Sequence, residues 1–441
     1  MTVASLCNDI LVLAVFLLVG FFVRELCKPL QKLFLPSSLI GGLILLLLGQ
    51  QILGVVEVPE SFGSIPSVMI DIVMAATVFG VTINRKKLGS YLDYSCMTMT
   101  SYGMQLGLGV LLGWLLQKIW PGLPDGWGVM GVFSFHGGHG TAAAAGAAFE
   151  KLGIEGNMAV GMVLSTLGLI VAMLVGMIMV NFGIRRGWGT YVKEPKKQPD
   201  YFYGGVLPEE KRVASGHTVT TGISINHLAL QVAWLLTALF IGRKLFGFLG
   251  AYIPFFNELP SVLHGIFGGA ILWQFLKATK LERYVDLKTI KMASGFCLEI
   301  TVFTAMATLD MEFVSTYIVP VLIYTVILAV LTVPLIFYLA YRFCREEWFE
   351  KACMAFGAAT GNTSTGLALV RAVDPDSLSS AGDTHGVYSA IMSWKDVFVG
   401  LTPIWLTSGI GLTCGVGFAM MFGFAAFGFI FFAQKNKRTA A

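Results

Sequence analysis

The sequence predicts an all-α membrane protein built from two inverted five-helix repeats, each with a re-entrant hairpin, and one extra C-terminal helix. Three observations lead to this fold class: an apolar composition, apolar blocks of membrane-spanning length, and markers that recur in both halves. Hydrophobic residues make up 56% of the chain and charged residues 13%, against about 25% charged residues in soluble globular proteins. A large soluble domain is therefore excluded.

Apolar blocks of roughly 17–25 residues have the length that crosses a hydrocarbon layer as a helix. The predicted spans are 7–23, 35–54, 65–83, 92–118, 157–182, 225–249, 260–276, 290–309, 314–342, 385–407 and 410–433. The apolar block of the first span, about Ile10 to Val23, follows Asn8 and Asp9, and its basic flank lies on its C-terminal side. We therefore expect a retained helix rather than a cleaved signal peptide.

Basic residues fall on alternate loops between the spans, and acidic residues fall on the others. The basic loops contain Arg24, Lys28, Lys32, Arg85, Lys86, Lys87, Arg185, Arg186, Lys193, Lys196, Lys197, Lys277, Lys280, Arg283, Arg342, Arg345, Lys435, Lys437 and Arg438. Because cytoplasmic loops carry an excess of Lys and Arg, we expect the N-terminus outside and the C-terminus in the cytoplasm. Arg243 and Lys244 are the exception, since they fall on the predicted outer side, where we expect them to cap a short interfacial helix.

Two segments, 128–149 and 352–373, are rich in small residues and are broken centrally by glycine and polar residues. They read GVMGVFSFHGGHGTAAAAGAAF and ACMAFGAATGNTSTGLALVRAV. Irregular backbone at membrane depth survives only where protein or a wet cavity covers it. We therefore expect each segment to form a re-entrant hairpin of two half-length helices.

The two halves carry matching markers in the same order. Those of the first half are Leu35-Pro36-Ser37, Ile70-Asp71-Ile72, Phe135 and Gly140, and those of the second are Leu259-Pro260-Ser261, Leu298-Glu299-Ile300, Phe356 and Gly361. Each half has an odd number of spans, so the second is inverted, which is typical of secondary transporters. The predicted organisation is a first repeat (1–184), a cytoplasmic linker (185–222), a second repeat (223–407) and an additional helix with a basic tail (408–441).

Both predicted hairpins present a helix N-terminus after glycines, which indicates an anion site. Free N–H groups and the positive end of the helix dipole bind carboxylate or phosphate; a small-residue packing turn is the alternative. The predicted substrate-binding residues are Gly138, His139, Gly140, Thr141, Asn362, Thr363, Ser364, Thr365 and Arg371. Arg371 follows Ser364 and Leu367 on one helix face and could clamp a carboxylate, with snorkelling to the rim or pairing with Asp374 as the alternative.

Backbone and side-chain oxygens in the two predicted hairpins, and acidic residues inside the predicted spans, suit a hard cation such as Na⁺. The predicted cation-binding or coupling residues are Gly137, Asp71, Glu299, Thr360, Gly361 and Asp396. Asp71 and Glu299 occupy equivalent repeat positions, and a carboxylate inside a membrane is costly without a partner; access to interfacial water is the alternative for Asp71. We expect no transition metal, since His136 and His139 lack a third ligand. For His139 the sequence leaves open a hydrogen-bonding or proton-linked role and, as the commoner outcome, a buried imidazole whose hydrogen bonds are simply satisfied.

Gly137-Gly138-His139-Gly140 resembles the GGxG hairpin motif of the glutamate:sodium symporters, as does the LPSSLIGG sequence at Leu35–Gly42. The resemblance covers residues 5–405, although Gly357–Asn362 in the second hairpin lacks paired glycines. It implies a homodimer in the inner membrane of a prokaryote. Such a protein moves glutamate or a related small carboxylate together with Na⁺ by an elevator-like movement, contacting lipid but no nucleic acid.

Other functions explain fewer of these features. A proton-coupled carboxylate transporter uses the same repeats with a different coupling ion. An intramembrane enzyme needs an activated nucleophile, and Ser134 with His136 lacks a GxSxG elbow or a third partner. A channel predicts a repeated filter. We therefore expect a transporter, without enzymatic activity or an organic cofactor.

Overall fold

The computed structural model describes residues 3–33, 35–80, 88–192, 206, 208–212, 214, 216–221, 223–253, 256, 261–374 and 378–433. Within these ranges the regular elements are helices. They are α1 (Val3–Leu26), α2 (Lys28–Lys32), α3 (Ser37–Leu48), α4 (Ile65–Thr77), α5 (Leu88–Ile119), α6 (Met130–Lys151), α7 (Asn157–Arg185), α8 (His227–Tyr252), α9 (Ser261–Ala278), α10 (Leu287–Ala307), α11 (Met311–Phe343), α12 (Trp348–Thr360), α13 (Thr363–Val373), α14 (Ala381–Ile391), α15 (Phe398–Thr407) and α16 (Gly411–Phe431).

Among the residues that the structure describes, six helices are long and apolar enough to cross a membrane. They comprise Tyr91–Ile119 of α5, α7, α8, α10, Val314–Phe343 of α11, and α16. All six coincide with spans expected from the apolar blocks, so the predicted class of an all-α membrane protein is confirmed. The basic clusters at 85–87, 193–197 and 435–438 lie outside the described residues, as does the Leu259-Pro260 marker.

Several predicted spans differ from the helices observed. Helix α3 has 12 residues, about 18 Å, and is followed by turns rather than by helix up to residue 54. The span predicted at 385–407 is divided into α14 and α15 by a short 3₁₀ turn at Ser393–Val397. The turn contains Ser393, Lys395 and Asp396, and this polar interruption is the sign in the sequence that the predicted span is divided.

The helices pack as two groups. The first helix group contains α1 to α4 and α8 to α10, and the second contains α5 to α7 and α11 to α16. Each group has its own apolar packing: Leu235, Trp273 and Ile290 join α8, α9 and α10 in the first, whereas α6, α7, α12 and α13 pack closely in the second. The groups meet chiefly where α6 contacts α4 and α10.

Helix α16 packs closely along α5 and so belongs to the second helix group. An added Cβ at Gly417 would collide with the backbone of Gly107, and one at Gly103 would collide with the backbone of Met421. The thiol of Cys414 also lies 3.5 Å from the Gly107 carbonyl oxygen. These glycines let the two backbones approach in the manner of small-residue interfaces between membrane helices.

Candidate functional site

Helix α6 is broken at Gly138, within the Gly/His-rich segment. Gly138 has φ 64° and ψ −158°, a conformation that glycine adopts without a Cβ clash. Met130 and Ala142 would lie about 18 Å apart in one straight helix, yet both lie against Gly161 of α7. The two halves of α6 therefore bend toward each other, and the first break exposes the ends of two half-helices.

The second break lies between α12 and α13, at Gly361 and Asn362. Gly357 and Gly366 pack backbone to backbone, so α12 and α13 lie side by side. The Asn362 side chain accepts a hydrogen bond from the Thr365 amide at 2.9 Å, and the Asn362 amide donates to the Thr365 hydroxyl at 2.9 Å. This capping box fixes the start of α13, and the Thr365 hydroxyl also donates to the Gly357 carbonyl at 2.8 Å.

The two breaks face each other. A Cβ placed on Gly138 would lie 3.2 Å from the Gly361 carbonyl oxygen and 3.5 Å from the Asn362 Cβ. The N-terminal ends of α13 and of the second half of α6 thus lie near the C-terminal ends of α12 and of the first half of α6. Helix N-termini favour anions and helix C-termini favour cations, so this meeting point offers opposite partial charges within a small region.

His139 is held at the start of the second half of α6. It is 5% exposed, and its Nε2 lies 3.1 Å from the Thr166 hydroxyl oxygen. That hydroxyl donates its one hydrogen to the Met162 carbonyl at 3.0 Å. With its hydrogen on the Met162 carbonyl, the hydroxyl oxygen is placed to accept a hydrogen bond from His139 Nε2.

His385 connects the second break to α5. Its Nδ1 lies 2.9 Å from the Tyr94 hydroxyl, and its Nε2 lies 3.3 Å from the Thr363 hydroxyl. Tyr94 and His385 are buried, whereas Thr363 is exposed. Hydrogen bonds from Tyr94 to His385 and from His385 to Thr363 thus help to position Thr363, the first residue of α13.

A second polar group lies beside the first break. The His136 ring packs edge-on against Tyr102 with centroids 5.2 Å apart, and its Nε2 has no hydrogen-bond partner among the described residues. Lys395 lies 5.8 Å from the Tyr102 ring centroid and 3.0 Å from the Asp396 carboxylate. The 3₁₀ turn that divides α14 from α15 thereby brings Asp396 close to the break.

The remaining residues near the breaks differ in accessibility. Gly137 is exposed and the Thr141 side chain folds against it. Gly140 is covered by Leu298 of α10, and Thr360 is buried. The Ser364 side chain lies outside the described part of the chain.

Arg371 is not brought to the breaks. It occupies the last turn of α13, about 12 Å from the helix start by helical rise. The Asp374 carboxylate accepts hydrogen bonds from the amides of Leu378 and Ser379 at 3.0 and 2.6 Å. A contact between Arg371 and substrate therefore stays a prediction without support from this arrangement.

Asp71 and Glu299, which were matched as repeat equivalents, have unlike surroundings. Asp71 is 1% exposed, and its carboxylate lies 3.4 Å from the guanidinium of Arg243 on α8. Glu299 is exposed on α10, next to the Leu298 that covers Gly140. The pair with Asp71 also explains why a basic residue occurs on the predicted outer side, and α8 continues through Arg243 without the expected short capping helix.

Three residues of this region were absent from the expected site: Tyr94, Tyr102 and Gln105, all on α5. Gln105 is fully buried and donates to the Thr332 hydroxyl and to the Ala359 carbonyl, both at 3.0 Å. The stretch 94–105 contains tyrosine, serine, threonine and glutamine in an otherwise apolar span. That local polarity is the signal from which these residues could have been found.

Apolar spanning helices around two facing helix breaks are typical of secondary transporters of the membrane. The comparison with known families agrees with this class: the sodium/glutamate symporter family model matches residues 3–374. The chain belongs to the sodium/glutamate symporter family, so the resemblance noted in its sequence is confirmed. It is a transporter and not an enzyme. No curated protein matches the chain.

Proposed function

We propose that this protein carries glutamate or a related small carboxylate together with Na⁺ by an elevator-type alternating-access movement. The observation that carries the proposal is the meeting of the two breaks, where Gly138 lies against Gly361 and Asn362. Two helix N-termini suit a carboxylate and two helix C-termini suit a cation at the same point. Binding of one ion then favours binding of the other.

The substrate carboxylate binds at the two N-termini. Its partners are Gly138, His139, Gly140 and Thr141 in the first hairpin and Asn362, Thr363, Ser364 and Thr365 in the second. The backbone N–H groups of the first turn lack intrahelical partners, and the capping box holds α13 so that these groups face the substrate. Na⁺ lies on the carbonyl side, at Gly137, Thr360 and Gly361, with Asp396 nearby.

The two helix groups support an elevator-type movement. The second helix group holds both breaks, and α6 supplies most of its contacts with the first helix group. Each proposed inverted repeat contributes its early helices to the first helix group and its later helices to the second. We propose that the second helix group, with its re-entrant hairpins, slides along the first, and that the first helix group forms a homodimer interface in the prokaryotic inner membrane.

Uptake by proteoliposomes tests this function. Purified protein is reconstituted and supplied with radiolabelled glutamate, aspartate, citrate or malate under an imposed Na⁺ gradient or an imposed H⁺ gradient. Accumulation of glutamate or a related carboxylate under the Na⁺ gradient is expected. Accumulation under the H⁺ gradient alone identifies the proton-coupled alternative, and accumulation under neither gradient refutes symport.

Substitution of two capping asparagines tests the site. Asn362→Leu removes the cap at the second break and is expected to weaken substrate binding at least tenfold. Asn226→Leu is the matched control, because Asn226 caps α8 in the same way, accepting from the Ala229 amide at 3.2 Å. Each cap contributes about 1 kcal/mol of stability. Equal substrate affinity in both variants would indicate that the second break serves helix packing and does not bind substrate.

A further inference from the structure

Two buried side-chain oxygens of the second helix group have no hydrogen-bond partner among the described residues. They are Gln105 Oε1 on α5 and Ser165 Oγ on α7, and both side chains are fully buried. An unpaired polar atom in such a place costs roughly 1–3 kcal/mol. A ligand that interacts with both oxygens would remove this cost.

The orientation of the Gln105 amide is fixed by its neighbours. Its nitrogen donates to the Ala359 carbonyl at 3.0 Å and to the Thr332 hydroxyl at 3.0 Å. A reversed amide would set two acceptor oxygens against each other at Ala359. The oxygen of Gln105 therefore points away from these partners and is available as an acceptor.

Ser165 lies just beyond the carbonyl end of α12. Helix α12 runs antiparallel to α7, because Phe349 packs on Gly183 and the Thr360 carbonyl packs on Gly168. Ser165 shares a helix face with Gly168 and Leu169, and these two residues contact Thr360 and Gly361. The last carbonyl groups of α12 lack intrahelical donors and point along the helix axis beyond Thr360. Ser165 lies one helical turn further in that direction.

We infer that Gln105 Oε1, Ser165 Oγ and the carbonyl oxygen of Thr360, the last residue of α12, form a binding site for the coupling Na⁺. All of these groups are oxygen acceptors, and the helix C-terminus adds a partial negative charge. The inference rests on the proposed Na⁺-coupled transport and extends its ion site to α5 and α7. A water molecule that merely fills this place would give no dependence on Na⁺.

Alanine substitution at Ser165 tests the site with little change in volume. Ser165→Ala is expected to raise the Na⁺ concentration for half-maximal glutamate uptake about tenfold, and to reduce the rise in unfolding temperature that Na⁺ produces over choline. Ser38→Ala is the matched control, because Ser38 is also fully buried with an unpaired hydroxyl but lies in the first helix group. This control is expected to keep the wild-type Na⁺ dependence.

Gln105→Met provides a second variant, expected to raise the half-maximal Na⁺ concentration at least as much. Wild-type Na⁺ dependence in Ser165→Ala overturns the inference, even where Na⁺-driven uptake by the wild type upholds the proposed function. If the wild type shows no Na⁺-driven uptake but is stabilised by Na⁺ in a way that Ser165→Ala abolishes, the site stands and the proposed function fails. Absence of any stabilisation of the wild type by Na⁺ overturns the site directly.

Discussion

Substitution of Gly138 by alanine tests whether contact between the two breaks controls substrate binding. Gly138 has φ 64° and ψ −158°, a combination essentially restricted to glycine, and another residue held there costs about 1–3 kcal/mol. The added Cβ would also lie only 3.2 Å from the Gly361 carbonyl oxygen. The backbone strain is relieved when the break in α6 changes its conformation, and the close contact is relieved when the two breaks separate; either change removes the facing arrangement of the breaks.

Separation of the breaks depopulates the arrangement that binds substrate. A free energy of about 1–3 kcal/mol corresponds to a roughly 5–150-fold change in an equilibrium. The apparent affinity falls in proportion to the fraction of molecules that remain competent to bind. We therefore expect Gly138→Ala to raise the half-saturating glutamate concentration within that range.

Gly153→Ala separates the effect of backbone strain from the effect of contact. Gly153 also has a positive φ of 76°, but an added Cβ there meets nothing within 4 Å. Glutamate-dependent uptake by proteoliposomes and thermal unfolding of both variants are measured together. Both variants should lose stability, and Gly138→Ala alone should lose affinity. Wild-type affinity in Gly138→Ala would refute the reasoning.

Three further predictions concern stability, measured by thermal unfolding. Arg243→Met leaves the buried Asp71 carboxylate without its cationic partner. Removal of one partner of a fully buried ion pair costs about 3–5 kcal/mol. The loss of stability should be smaller here because the Arg243 side chain is 54% exposed. Pairing it with Asp71→Asn should restore most of the loss, and no recovery would argue against the pair. Gly417→Val should cost about 1–3 kcal/mol by overpacking against α5, whereas Gly423→Val, whose Cβ meets nothing within 4 Å, should be tolerated; equal losses would contradict the α5–α16 contact. Burial raises the pKa of Glu347, but hydrogen bonds from Ser380 and Tyr191 lower it further, to below its ordinary value of 4.5. The stability that ionised Glu347 contributes is therefore present above pH 4.5 and is lost as the pH falls through the lowered pKa. Glu347→Gln should lower the unfolding temperature at neutral pH and reduce the further loss of stability on acidification. An unchanged dependence of the unfolding temperature on pH would contradict this prediction.

The sequence predicts the helices of this fold better than it predicts their partners. Apolar blocks identify α5, α7, α8, α10, α11 and α16 because a spanning helix needs length and apolarity, which are local properties. The pair of Asp71 with Arg243 depends on how α4 and α8 pack, which no local pattern encodes. Positional equivalence likewise matched Asp71 with Glu299, although one is buried beside a guanidinium and the other is exposed.

The candidate site shows the same division between local and long-range information. Glycine-rich segments indicate where helices break, because few other residues tolerate the backbone required at Gly138. The groups that surround the breaks come from distant segments: Gln105 reaches Ala359, and Tyr94 reaches His385. The sequence shows that α5 is polar at these positions, but it does not show which distant atoms the polar side chains contact.

The distribution of ion pairs bears on how the proposed movement could occur. The pair Arg243–Asp71 lies within the first helix group, and Lys351–Asp93 and Lys395–Asp396 lie within the second. A movement of one group along the other leaves all three intact. The contact between groups at Gly140 is instead apolar, since Leu298 covers a glycine. Because dispersion contacts lack the directional demands of a hydrogen bond, such a surface can slide and re-form with small barriers, whereas a buried ion pair across it would have to break during each transport cycle.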